Sequence, residues 1–332
     1  MIDRPDRTAS ADSDAMPPAA TDRTATVSET AAATDAPAFS IATLMQEVAR
    51  QEHPTGALYV VATPIGNTAD ITLRALNLLS LVDAVACEDT RNTGHLLTRY
   101  GLHKTLIAAH QHNEREVAER LIERLQAGQR IALVSDAGTP AVSDPGARIV
   151  DAVRTAGLCV IPLPGASAAI TALSASGLLD AQFHFAGFLP SKAAQRDTAL
   201  MALRGMTAAL VFYEAPHRIA DTVSAMQMHF EPTRQIVFAR ELTKLFEELH
   251  RCPLAEAGSW LAAGGHREKG EYVVIVEGAP VDVDRDRIEA DRVLTILMAQ
   301  CPLKQAAALA ALITGQKKNA LYERALALKD AT

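Results

Sequence analysis

Three polar clusters in this chain combine acids with bases closely enough to move a proton or orient a hydroxyl. Cys87-Glu88-Asp89-Thr90-Arg91-Asn92-Thr93 sets two carboxylates beside a guanidinium, a grouping suited to substrate positioning or acid–base work. Tyr213-Glu214-Ala215-Pro216-His217-Arg218 repeats the theme with an imidazole, and Arg240-Glu241-Leu242-Thr243-Lys244 places two bases around an acid. Each has a plainer reading: a helix N-cap with a local ion pair for the first, a structural His217 for the second and solvated strand ends for the third. His110, His112 and Asn113 are a weak metal set, because two histidines at i and i+2 lack a firm third ligand. Ser135 and Ser167 have no identifiable base, so a nucleophilic triad is not supported.

Such groups need elements to hold them, and the sequence shows where these lie. Three loops rich in Gly, Pro and small residues each follow a short apolar run. They are Thr63-Pro64-Ile65-Gly66-Asn67, Ser135-Asp136-Ala137-Gly138-Thr139-Pro140 and Pro162-Leu163-Pro164-Gly165-Ala166-Ser167. In an open parallel α/β sheet, loops of this kind lie at the carboxyl ends of strands, where ligands bind. One alone is ordinary punctuation. Three together point to a small-molecule pocket built largely from main chain. No G-x-G-x-x-G follows the first run and no G-x-x-x-x-G-K-[ST] occurs, so the dinucleotide and P-loop readings fail on their own motifs.

The βαβ pattern is clearest from Ala57 to Pro164. Strands are expected at Ala57–Ala62, Ala84–Cys87, Thr105–Ala109, Ile131–Ser135 and Leu158–Ile161, with helices at Thr72–Leu81, Glu114–Ala127 and Gly146–Ala156. That series predicts a mostly parallel sheet. After a small-residue helix over Ala166–Gly177 the texture changes. Strands are expected at Phe183–Phe185, Ala208–Tyr213, Ile236–Arg240, Leu245–Leu249 and Tyr272–Val276, several without a long helix between them, which predicts a second, mixed sheet. Near the end, Leu303–Ile313, Thr314-Gly315-Gln316 and Lys317–Leu328 read as helix, tight turn, helix, with Lys317, Lys318, Asn319 and Arg324 on the second helix. A small nucleic-acid module and a packing hairpin fit that pattern equally. The expected division is a disordered acidic tail over 1–54, an α/β domain over 55–165, a second over 166–282 and a helical segment over 283–332. Ile41–Arg50 within the tail has the spacing of a short amphipathic helix.

Bulk composition narrows the function class. With 332 residues the chain holds two domains and an appendage. Aromatics are only 4%, which argues against a nucleic-acid surface of stacked rings. Net charge is −7, yet residues 1–56 carry nine acids against four arginines and the remainder is only −2, so a modest basic face on the folded part is compatible with it. Cys87, Cys159, Cys252 and Cys301 are scattered without a C-x-x-C and read as free thiols in a reducing compartment. No apolar run has membrane-spanning or signal-peptide character, so a cytoplasmic protein without membrane contact is expected.

The runs Leu58–Asn67, Glu88-Asp89-Thr90-Arg91, Ser135–Pro140 with Asp144-Pro145-Gly146, and Pro162–Ser167 resemble the tetrapyrrole-methylase superfamily. With Phe212-Tyr213-Glu214, His217-Arg218, Ala239–Lys244, Gly270-Glu271 and Lys317–Tyr322, the chain is more closely similar to a bacterial branch of it, the family of ribosomal RNA small subunit methyltransferase I. The likeness runs from Gly56 to Leu328 and leaves out the tail. It implies two α/β domains of the class III methyltransferase type with a C-terminal helical segment, and S-adenosylmethionine folded into the cleft between them. The implied reaction is 2′-O-methylation of a cytidine ribose in the decoding region of 16S rRNA, on the 30S subunit, by a homodimer. Carried over by motif, Pro64, Asp136, Gly138, Thr139, Ser167 and Ala168 would line the cofactor site, and Tyr213, Leu242 and Gly270-Glu271 would close it. Cys87 and Ser143 are minor departures.

Methyl transfer from a sulfonium is an in-line displacement dominated by alignment, and needs no metal. A ribose hydroxyl is a poor nucleophile at neutral pH, so a polar wall of Glu88, Asp89, Arg240, Glu241 and Lys244 is expected to assist it. Three other readings share the fold. They are a tetrapyrrole C-methyltransferase, an enzyme modifying a histidine-derived residue on elongation factor, and a non-catalytic RNA-binding factor.

Overall fold

The computed structural model describes residues 40–280 and 283–330. The expected tail therefore lies outside the described residues up to position 39, while its far part forms helix α1 (Ile41–Ala49). A first group of elements follows: β1 (Ala57–Val61), α2 (Leu73–Leu81), β2 (Ala84–Cys87), α3 (Thr90–Arg99), β3 (Thr105–Ala108), α4 (Glu114–Gln126), β4 (Ile131–Val134), α5 (Ala147–Thr155), β5 (Cys159–Leu163) and α6 (Ala168–Ala175). All five strands run parallel in the order β3-β2-β4-β1-β5. The central strands are continuous apolar runs because both faces are covered, as parallel sheets require. Tyr59, Leu78, Leu79, Val85 and Ala132 pack on one face, and Leu58, Leu121, Leu125, Ile131 and Ile149 on the other.

The second group is β6 (Phe183–Phe188), α7 (Ala193–Leu203), β7 (Ala209–Glu214), α8 (Ile219–His229), β8 (Gln235–Arg240), β9 (Glu248–Pro253), α9 (Leu254–Ala263) and β10 (Tyr272–Val276). Its sheet is mixed, with the order β6-β7-β10-β8-β9 and only β6–β7 parallel. Two corrections to the sequence reading arise here. Helices α7, α8 and α9 intervene where few helices were expected, and they pack Leu200, Met226 and Leu254 against the sheet face holding Phe212, Phe238 and Val274. The strand expected at Leu245–Leu249 begins three residues later, because Leu245 and Phe246 belong to an exposed turn.

The chain ends in α10 (Val283–Met298), α11 (Leu303–Thr314) and α12 (Lys318–Asp330), which share a small core of Leu294, Ala310, Leu321 and Ala325. Gly315 ends α11 with φ of 70°, the left-handed conformation that favours glycine, so the sharp reversal into α12 follows from that residue. Among the described residues no helix is long and apolar enough to cross a membrane.

Candidate active site

The three small-residue loops are stitched into one platform. Thr63 and Gly138 exchange main-chain hydrogen bonds of 2.9 Å, joining the loop after β1 to the loop after β4. The Thr63 hydroxyl donates to the Ser135 carbonyl at 3.0 Å and the Ser135 hydroxyl donates to the Gly138 carbonyl at 3.0 Å. Thr139 Oγ1 reaches the Ala166 carbonyl at 3.0 Å and so ties in the loop after β5. From the second sheet, Tyr213 on β7 accepts at its hydroxyl from the Ala169 N–H at 3.2 Å. Phe185 and Phe188 pack edge-on against the Tyr213 ring.

Facing this platform is the turn that leaves β8. Gly66 is required there by close approach: a Cβ would lie 2.6 Å from Lys244 Cγ and 3.1 Å from the Leu242 carbonyl. The Asn67 N–H donates to Thr243 Oγ1 at 3.0 Å, so the β1 loop and the β8 turn are held together. Glu241 and Thr243 adopt left-handed φ of 50° and 66°, and Ala141 and Ser143 do so across the cleft at 65° and 62°. Non-glycine residues reach that region at a cost of order 1–2 kcal/mol each. Among the described residues these four are the non-glycines with positive φ, and they occur only in the two loops that face each other here.

Between platform and turn lies a cavity of about 300 Å³. Ligand pockets run from about 300 to 1,000 Å³, so a compact cofactor fits it. Of the residues assigned by motif, Gly138, Thr139, Ser167, Ala168, Tyr213 and Leu242 line it. Pro64 and Asp136 do not. They line an adjoining, more open cleft of about 400 Å³ that shares Ile65 and Ala137 with the cavity. Asp136 turns that way because its carboxylate accepts from the Asp89 N–H at 3.2 Å and from Asn92 Nδ2 at 2.7 Å.

The five residues of the expected polar wall are likewise divided. Glu241 and Lys244 line the cavity, whereas Glu88, Asp89 and Arg240 do not. Arg240 is a buried clamp: its guanidinium donates to the carbonyls of Lys269, Phe246 and His266 at 2.7, 3.2 and 3.1 Å. That engagement keeps Arg240 out of the cavity wall where the sequence reading expects it, since its hydrogen bonds go to backbone carbonyls and its nearest carboxylate is Glu248 at 3.9 Å. Lys244 Nζ bridges Glu241 Oε1 at 2.9 Å and Glu271 Oε2 at 2.7 Å. Burial alone would raise the Glu241 pKa, but Lys244 and the Glu271 N–H overcome it and hold the carboxyl below its ordinary value. The same two carboxylates outweigh burial at Lys244 and raise its pKa. Asp89 caps α3 and pairs with Arg91 at 2.8 Å, which pulls its pKa down to about 2. His217 is exposed and outside the cavity.

Of the carboxylates that line the cavity, one carries no assignment from the sequence. Asp144 sits in the strained loop before α5 and lines the cavity, and its pKa is pushed up to about 6. Burial is the main cause, the Glu88 charge is next, the Ser135 hydroxyl opposes, and Asp136 adds to the rise. Glu88 is itself raised, by burial first and then by Asp136. The only local signal for Asp144 is the Asp-Pro-Gly that closes the second loop.

The comparisons with known proteins agree with this geometry. Residues 57–258 match the family described as Tetrapyrrole (Corrin/Porphyrin) Methylases, and residues 284–329 match the RsmI C-terminal HTH domain. A ribosomal RNA small subunit methyltransferase I from Escherichia coli O157:H7 is 49% identical over 282 residues, spanning 85% of this chain and 99% of that protein. Its counterpart from Pseudomonas aeruginosa is 50% identical over 273 residues, 82% of this chain and 97% of the relative. Among solved structures, the methyltransferase CobJ superposes with a TM-score of 0.52 at 22% identity, over 68% of this chain and 95% of CobJ, a likeness of fold. A platform of three stitched loops, a facing mixed sheet and identity near one half along most of the chain lead to one conclusion: this protein belongs to the ribosomal RNA small subunit methyltransferase I family of the tetrapyrrole methylases.

Proposed function

We propose that this protein uses S-adenosylmethionine to methylate the ribose 2′-hydroxyl of a cytidine in the decoding region of 16S rRNA, acting as a cytoplasmic homodimer on the 30S subunit. The observation that carries the reading is the cavity between the two sheets, floored by main-chain loops in a chain whose relatives are small-subunit rRNA methyltransferases. The domain over 55–165 supplies that floor, the domain over 166–282 closes it, and the segment over 283–332 meets RNA. When bound, the cofactor supplies an electrophilic methyl group.

The chain's own residues do the rest by position. Gly138, Thr139, Ser167 and Ala168 offer small side chains and main chain that let a ligand lie close to the backbone. Tyr213 and Leu242 cover it from the second sheet, and the held turn at Gly66 and Thr243 keeps the two walls at fixed separation. Fixed separation matters because an in-line displacement depends on alignment of the hydroxyl with the methyl carbon. Pro64 and Asp136 border the adjoining cleft, which gives the substrate nucleotide a route to the cavity through Ile65 and Ala137. Lys244, held by Glu241 and Glu271, contributes a fixed positive charge at the rim. On α12, Lys317 and Lys318 precede or open the helix and are exposed, suited to phosphate contacts. Arg324 is not free for that task, because it forms a two-pronged pair with Asp291 at 2.6 Å.

The test is methyl transfer from labelled S-adenosylmethionine to 30S particles lacking the modification, followed by mapping of the product. A 2′-O-methylated cytidine in the decoding region is expected. Efficient modification of a short naked RNA would count against the 30S substrate, and cofactor binding without transfer to any RNA would overturn the reaction.

A further inference from the structure

Four carboxylates line the cavity: Asp144, Glu214, Glu241 and Glu271. Three of them are already committed. Glu214 is buried, accepts from Thr222 Oγ1 at 2.6 Å and the Ala215 N–H at 2.9 Å, and is paired with Arg218 at 3.2 Å. Glu241 and Glu271 are both bound to Lys244. A carboxylate neutralised by a cation is a weak base, since the cation stabilises the charged form. Asp144 differs: among the described residues it forms no ion pair, and the charges that shift it are those of Glu88 and Asp136. The groups facing it are Glu88 from the turn after β2, Asp136 from the loop after β4, Ser135 at the end of β4 and Tyr213 from β7. Two residues onward, the Gly146 N–H donates to Glu114 at 2.7 Å, and Arg148 is directed to Glu114 rather than Asp144.

We propose that Asp144 is the proton acceptor for the ribose 2′-hydroxyl, an assignment that rests on the methyl-transfer reading above. The hydroxyl O–H bond breaks toward an Asp144 carboxylate oxygen. The ribose oxygen keeps that electron pair and bonds the methyl carbon. The S–CH₃ bond breaks with its electrons passing to sulfur, which becomes a neutral thioether, and the proton leaves as the Asp144 carboxylic acid. Burial and like charge serve this role. They keep the group basic enough to take a proton while leaving it ionised at neutral pH, the compromise that general-base catalysis favours. Crowding three acids at one sheet end, with the Asp136 carboxylate occupied by Asn92 and the Asp89 N–H, directs the unsatisfied charge onto the one that faces the cavity.

The experiment uses the full-length protein, S-adenosylmethionine and unmodified 30S particles, comparing wild type with Asp144→Asn. Three readouts are taken: cofactor affinity by equilibrium dialysis, single-turnover rate from pH 5 to 9, and Tm of the unloaded protein from pH 4 to 9. Wild type is expected to gain rate as pH rises through about 6. In D144N that acid limb disappears and the rate falls by roughly 10²–10⁴-fold, with cofactor affinity changed less than about threefold. Because the folded-state pKa of Asp144 lies above its unfolded value, ionisation disfavours the fold as pH climbs from about 4 to 6. D144N should therefore gain Tm relative to wild type above pH 6 and show no gain near pH 4. Glu88→Gln supplies an independent check in which Asp144 is retained: the acid limb should move to lower pH, since one like charge is gone. Wild type inactive on 30S particles overturns the reaction and this assignment with it. Wild type active, with D144N keeping its rate and acid limb, overturns the assignment alone. So does a D144N defect confined to cofactor affinity, and so does an acid limb that E88Q leaves in place.

Discussion

The two walls of the cavity are built on opposite electrostatic plans. On the first-sheet wall, Glu88, Asp136 and Asp144 gather at the strand ends, none of them in an ion pair among the described residues; Glu88 and Asp144 are raised in pKa, with His110 opposing the rise at Glu88. On the second-sheet wall nearly every charge has a fixed opposite: Lys244 with Glu241 and Glu271, Arg218 with Glu214, and Arg240 with Glu248 at 3.9 Å and three carbonyls. One wall is left electrostatically unsettled and the other is closed. Reactivity belongs on the unsettled wall, where a change in protonation is within reach of neutral pH. The settled wall holds geometry. The four strained non-glycine residues fit the same division, because they mark the edges where the walls meet and the chain is held in place by neighbours rather than by its own preference.

The strongest way to break this contrast is at Arg240. If the settled wall is structural, R240A should cost about 3 kcal/mol, the range for leaving buried partners of a charge unsatisfied. Turnover per folded molecule should stay within about threefold at low temperature, since the reacting groups lie elsewhere. Urea denaturation checks the first part and single-turnover rate the second. A rate loss without a stability loss would put Arg240 back among the reacting groups.

A smaller effect is expected at Lys244, which is only partly buried. K244A should cost about 1 kcal/mol at pH 7. The sign of its pH dependence is fixed by Glu241, whose folded-state pKa is depressed. Its contribution is present above the unfolded pKa and is lost as pH falls through the lowered folded value. The stability gap between wild type and K244A should therefore be open at pH 7 and narrow below about pH 4, as pH-dependent thermal melts would show. A gap that widens in acid would mean that the wall is not held by this network.

The smallest effect belongs to Asp89, a member of the expected polar wall that is spent on its own neighbour. Asp89→Asn should leave methyl transfer within about twofold at every pH above 4, because Asp89 is already ionised there and does not line the cavity. A shift in the acid limb comparable to that of Glu88→Gln would show that the Asp89 charge reaches Asp144 and would enlarge the unsettled wall.

Element by element, legibility followed how strongly burial writes itself into local pattern. Strands β1, β2 and β4 are fully or almost fully buried, so they are unbroken apolar runs and stand out. Helices α7, α8 and α9 were missed because small, polar and apolar residues mix in Ala193–Leu203, Ile219–His229 and Leu254–Ala263 without a sharp stripe. At β9 the apolar pair Leu245 and Phe246 mimicked a strand start, while the real edge strand, with Glu248 and His250 half-buried and Leu249 and Arg251 exposed, gave no core signal. The acid clusters were visible as composition, but their roles were not.

What the sequence determined by itself is the set of local commitments: which buried runs of the first sheet are strands, where the three loops break, and that the last helices reverse at a tight turn holding Gly315. These depend on φ and ψ preferences and on periodicity, which act over a few residues. Tertiary structure alone decided that Asp136 turns toward α3 while Asp144 faces the cavity, that Arg240 points into backbone carbonyls, and that Lys244 joins Glu241 to Glu271. The reason is physical. Burial and Coulomb interactions are set by distance through space, so Glu88 and Asp144, 56 positions apart in the chain, act as neighbours only once β2 and β4 lie side by side.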